Sequence, residues 1–185
     1  TLAAHCLHIL RNMYFISHRF GQPSLSPYLF VNSTALDVLN QYPSAAENML
    51  ASTRPVEMGK IPVHPLERLL DLFFFNTAEH FTLTVSAVSN ESLLNAAMPY
   101  IQAQGDHRLG EIYEAAHSLV LAVFTAPQNA DIVPKHVPIY VENLMSSFPH
   151  MLNPRQFRLA IKSIIRLAAP PSSTSRSMPL MQAVI

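Results

Sequence analysis

Apolar residues along this chain recur three and four positions apart in long runs, and several of the runs begin at a proline. Pro27, Pro65 and Pro154 each stand before such a run, and proline suits a helix's first turn because its missing N–H would have had no partner there. Asn153-Pro154 is the clearest start, with Asn153 as N-cap, and His64-Pro65-Leu66-Glu67 is the next clearest. The pattern predicts helices over 2–20, 26–41, 44–51, 65–88, 91–103, 107–126, 136–147 and 154–169. FTLTVSAV, from Phe81 to Val88, alternates apolar and polar residues like a short strand. No Gly or Pro separates it from the run before it, so it is assigned as that helix continuing. Pro99 and Pro138 fall inside or near helices and predict kinks or restarts.

The stretch LLDLFFFN, Leu69 to Asn76, sets three phenylalanines side by side in a chain without tryptophan. At about 100° per residue, Leu66, Leu69, Leu70, Phe73 and Phe74 share one wide apolar arc, with Phe81 inside it. Phe75 falls opposite, among Glu67, Arg68, Asp71 and Glu79, so one neighbouring helix cannot bury all three rings. The favoured reading is a helix held between two neighbours, as in a stacked helical array. The alternative makes Phe75 a partner-binding ring.

The run from Pro154 has a different character. Arg155, Arg158, Lys162 and Arg166 lie within an arc of about 80° and Phe157, Ala160, Ile161, Ile164, Leu167 and Ala168 lie opposite. The basic stripe suits an acidic partner or anionic lipid headgroups, and a solvated charged face accounts for it as well.

Composition narrows the class. Apolar residues make up 49% of the 185 and charged residues 13%, which calls for a large core or a covered surface. Twelve Lys and Arg balance twelve Asp and Glu, so no global field favours nucleic acid. A membrane span needs about 20 mostly apolar residues, and Asp71 and Glu79 bracket the phenylalanines too closely for that. The stretch after His117 reaches only Ala126 before Pro127. No transmembrane helix is expected. Cys6 is the one cysteine and is expected to be a small buried apolar residue. The chain opens on Thr1 without a methionine and ends at Ile185, as a piece of a longer protein does.

Catalytic and cofactor motifs are missing. Nine histidines raise metal binding, but Glu114 with His117 is a lone Glu-x-x-His where a di-iron bundle needs two. There is no His-Glu-x-x-His, nucleophile elbow or phosphate-cradling glycine loop. Neither cofactor nor metal is expected, and the protein is read as a non-enzyme. A hydrolase or metalloenzyme using Glu114 and His117 stands as a rival.

The starts at Pro65, His107 and Pro154 lie 42 and 47 residues apart, a spacing that fits helical-pair repeats. The fold class expected is all-α: either stacked helical pairs, solenoid-like in the HEAT or armadillo manner, or an irregular helical bundle. Residues 1–169 form one domain. PPSSTSRSMP marks 170–185 as a linker leading into a truncated segment.

Three blocks carry a family resemblance: HPLERLLDLFFFNTAEHFTL (His64–Leu83), EAAHSLVLAVFTAPQNAD (Glu114–Asp131) and FPHMLNPRQFRLAIKSIIRLAAPPS (Phe148–Ser172). They resemble the fungal peroxin-eight family of peroxisome-biogenesis proteins, over about residues 40–175. The resemblance implies a non-enzymatic adaptor in matrix-protein import, peripheral on the luminal side of the peroxisomal membrane. Its implied partners are the docking complex, the RING-finger ubiquitin-ligase complex and the cargo receptor. The residues assigned to partner contact are Arg155, Arg158, Lys162 and Arg166, with Phe75 as a lesser candidate. A helical scaffold of another pathway, and direct lipid binding through the basic helix, are the alternatives.

Overall fold

A computed structural model describes residues 1–21, 26–103 and 106–169; the expected linker over 170–185 lies outside them. Among the described residues the regular structure is entirely helical: α1 Leu2–Asn12, α2 Tyr14–Arg19, α3 Ser26–Asn40, α4 Pro43–Thr53, α5 Pro65–Ala78, α6 Ala87–Gln102, α7 Gly110–Thr125, α8 Val133–Ser147 and α9 Pro154–Ala168. The starts of α5, α7 and α9 fall at residues 65, 110 and 154, hence 45 and 44 residues apart. These three helices pack side by side, with α6 against α7 and α8 as a second layer. At the N-terminal end α1 packs on α3 and α4, and α2 lies against α5. The result is an all-α array of stacked helical pairs.

Local chemistry places most of the helix starts. Pro43, Pro65 and Pro154 open α4, α5 and α9. His64 Nδ1 accepts from the Leu66 N–H at 3.2 Å. Besides α7, which starts at Gly110 instead of 107, three boundaries differ from the sequence pattern. The first helix breaks at Met13, so 2–20 becomes two segments. The helix expected over 136–147 starts earlier, at Val133, and takes Pro134 into its first turn.

The third difference is larger. The helix expected over 65–88 ends at Ala78, passes through a 3-10 turn at Glu79–Phe81, and a new helix begins after Ser86. Side chains far away in sequence hold this break. Asn90 Nδ2 donates to Thr82 O at 2.9 Å and to Asn129 Oδ1 at 3.2 Å. Gln128 Nε2 donates to Thr82 O and Val85 O at 2.7 and 3.0 Å. Glu47 Oε1 accepts from the Ser86 N–H at 2.9 Å. Carbonyls freed by ending the helix thus find new donors, as buried backbone groups require. Pro99 and Pro138 sit inside continuous α6 and α8 instead of dividing them.

All three phenylalanines are buried. Phe73 meets Tyr14 of α2 edge-on at 5.2 Å, while Phe75 meets Tyr100 of α6 at 5.4 Å. α5 is therefore covered on opposite faces by α2 and by α6 and α7, and each ring contributes about 1.5–3 kcal/mol by leaving water. Asp71 on the same helix is buried too, and Tyr100 OH donates to its Oδ2 at 2.7 Å. Cys6 is half-buried against the core.

Candidate functional site

α9 is built from its cap upward. Asn153 Oδ1 accepts from the N–H groups of Arg155 and Gln156 at 3.0 and 2.9 Å, and Gln156 Oε1 accepts from the Asn153 N–H at 3.1 Å. This reciprocal capping box satisfies donors that would otherwise be orphaned at the helix start. Phe148 stacks on Phe157 at 4.4 Å. Ala160, Ile164, Leu167 and Ala168 are buried, which fixes the helix's rotation about its axis.

That rotation turns Arg155, Arg158, Lys162 and Arg166 to solvent, all four exposed. Arg158 Nε donates to Pro154 O at 3.2 Å. None of the four makes an ion pair with another described residue. The array therefore presents four cations on a single face, with their charge uncompensated by the described part of the fold. Phe75 does not join them. At 0% exposure, enclosed by α6 and α7, it is a core ring and is unavailable to a partner.

On the neighbouring side of α9 runs a cleft of about 670 Å³, floored by α7 and walled by α2, α5 and α9. Three carboxylates line it. Ser118 Oγ donates to Glu79 Oε1 at 2.6 Å, and His18 Nε2 lies 2.7 Å from Glu111 Oε2. Glu114 is exposed and makes no ion pair with a described residue. His117 also lines the cleft but is 5% exposed. Its Nδ1 shares a 2.8 Å hydrogen bond with Tyr140 OH, and burial depresses its pKa to about 4. Its Nε2 is buried and makes no hydrogen bond among the described residues.

The Glu-x-x-His motif is thus split by geometry, with Glu114 facing outward and His117 inward against α8. Among the described residues no three His, Cys, Asp or Glu converge as metal ligands, and no helix is long and apolar enough to cross a membrane. Sequence reasoning missed the cleft. A partial signal was available, since Glu111, Glu114, Ser118 and Leu121 are spaced to share one face of α7.

Stacked helical pairs with one charged face and one cleft define a helical-repeat interaction domain. Residues 46–125, most of α4 through α7, match the family model described as the PEX8 central TPR-like domain. The chain is 28% identical to the peroxisomal membrane protein PEX17 of Yarrowia lipolytica over 95% of its own length and 28% of that protein. It is 27% identical to peroxisomal biogenesis factor 8 of Komagataella phaffii, and to that of Komagataella pastoris, over 90% of its length and 26% of theirs. The chain is thus similar to fungal peroxins, in agreement with the resemblance of its sequence blocks, and spans about a quarter of the length of these curated relatives. No solved structure matches it significantly.

Proposed function

We propose that this domain is a non-enzymatic adaptor in peroxisomal matrix-protein import. In this reading it links the docking and RING-finger ubiquitin-ligase complexes and meets the cargo receptor, as a peripheral protein on the luminal side of the membrane. The pathway rests on the likeness to a peroxisomal biogenesis factor and a peroxisomal membrane protein. The contact surface rests on one observation: Arg155, Arg158, Lys162 and Arg166 stand exposed and unpaired within the described fold, on a helix whose other face is buried. A fixed row of cations favours encounter with an acidic surface and orients it.

The test is an affinity pull-down from cells expressing the tagged full-length protein, comparing wild type with a variant in which all four stripe residues are changed to Glu. Import components are expected with wild type and lost with the variant, whose folding is checked by circular dichroism. Recovery of an unrelated set of proteins would remove the pathway. Retention of the import components by the folded variant would remove the stripe as their contact.

A further inference from the structure

α1 and α9 are the first and last helices of the described chain, and their outer faces differ in kind. α9 turns four cations outward, as suits the edge of a helical stack. α1 turns outward a seam of apolar side chains. At about 100° per residue, Leu2, Cys6, Ile9 and Met13 fall within an arc of about 60°. Leu2, Ile9 and Met13 are 79%, 58% and 49% exposed, and Cys6 is half-buried between them. Leu7 and Leu10 form a second apolar face, buried where α1 packs on α3 and α4. No described residue covers the seam.

Steps of four, three and four residues set these side chains along one ridge of the helix, the spacing with which a helix packs on another helix. The seam carries no charge. Arg11, the one Lys or Arg of α1, lies about 180° from Leu2 and is half-buried. α1 therefore offers an anionic membrane surface no cation beside the seam, unlike the Lys- and Arg-rich faces of helices that lie on lipid. A second copy also fits poorly. The seam is about 16 Å long, eleven residues at about 1.5 Å each, and one helix wide, about 10 Å. That footprint is far below the roughly 800 Å² per partner of a stable interface. A helix tethered to the same chain needs no such area, because its effective concentration is high. The chain spans about a quarter of the length of its curated relatives, and residues 46–125 match a domain described as central in its family. A full-length protein of that kind has chain on both sides of the array.

We propose that the outer seam of α1 seats a further helix of the full-length protein, one with an uncharged apolar stripe. In that protein α1 is an interior helix, covered on two sides as α5 is, and the stack extends past the described residues. This goes beyond the import reading and does not depend on it.

The test uses the purified full-length protein with a diazirine-bearing aliphatic amino acid in place of Ile9, and a second preparation with the same probe in place of Val63, a loop residue that is 93% exposed. Light scattering establishes the monomer, and cross-linked peptides are identified by mass spectrometry after irradiation. The probe at Ile9 is expected to cross-link to a peptide outside residues 1–185, with a yield at least about tenfold above that of the probe at Val63. Met13→Asp, which sets a charge in the seam, is expected to lower that yield about tenfold with the circular dichroism unchanged. Should that variant lose its helical signal, the neutral Met13→Asn is expected to lower the yield about threefold.

Equal yields from the two probes overturn the proposal, as does a yield that neither change at Met13 lowers. A cross-link into residues 170–185 overturns it by making this chain's own C-terminal segment the occupant. A cross-link between two molecules that fades on dilution overturns it in favour of a second copy. Cross-linking only to lipid, and only when anionic phospholipid vesicles are added, overturns it in favour of a membrane surface.

Discussion

α5 and α9 both pack on α7, yet they bury their side chains in different ways. α5 is covered on both sides, by α2 and by α7 with Tyr100 of α6, so Phe73, Phe74 and Phe75 are all enclosed although they point in different directions. α9 packs on α7 along one face, and no described element covers the other, where the four cations stand. A helix placed within a stack can be apolar nearly all round, whereas a helix at the edge of the described array keeps a polar face. Phe75 is therefore a core residue despite its position among charged neighbours in the helical projection.

The largest effect expected from this difference is on stability. Phe75→Ala should cost about 3–5 kcal/mol, since the ring fills space that α6 and α7 cannot collapse into, while Leu159→Ala on the open side of α9 should stay under about 1 kcal/mol. Urea denaturation of both variants measures this, and equal losses would break the comparison. Next is Tyr100→Phe, which removes the hydroxyl donating to buried Asp71. A loss of about 1–3 kcal/mol is expected, as is usual when a buried acceptor is left short of a donor. Asn153→Ala removes the cap of α9 and should cost about 1 kcal/mol, read from the thermal midpoint.

The smallest effect is on pH dependence, and its sign separates two buried groups. Burial raises Asp71 to about 6 from a usual 3.8, so the folded state binds this proton more tightly than the unfolded chain. Its contribution to stability grows as pH falls through about 6 towards 3.8. Burial lowers His117 from 6.5 to about 4, so its contribution is fully present above 6.5 and is lost as pH falls towards 4. The two slopes oppose each other between about 4 and 6. Asp71→Asn removes the first and should make acid destabilisation steeper than in wild type, measured by urea denaturation at several pH values across that window. A slope identical to wild type would mean that Asp71 is not held in the buried state described.

Much of the array was legible in the sequence because helix starts are local events. A proline in the first turn and a capping residue just before it act within one turn of backbone, and they marked the starts of α5 and α9 correctly. The amphipathic stripe of α9 was legible for the same reason. The break after Ala78 was not, since the groups that stabilise it, Glu47, Gln128 and Asn129, lie about 40 residues away on either side. With no Gly or Pro between Ala78 and Val88 the run reads as one continuing helix, and tertiary hydrogen bonds outweighed that local signal.

By itself, then, the sequence determined that the chain is all-α, where most helices begin, and that one face of α9 carries four cations. Only the tertiary structure decided that Phe75 is enclosed, that Glu114 and His117 point apart, and that carboxylates from two segments line one cleft. Caps and periodicity act over a few residues and are written in order along the chain. Burial and charge clustering depend on which layers meet, and that is settled by packing between segments far apart in sequence.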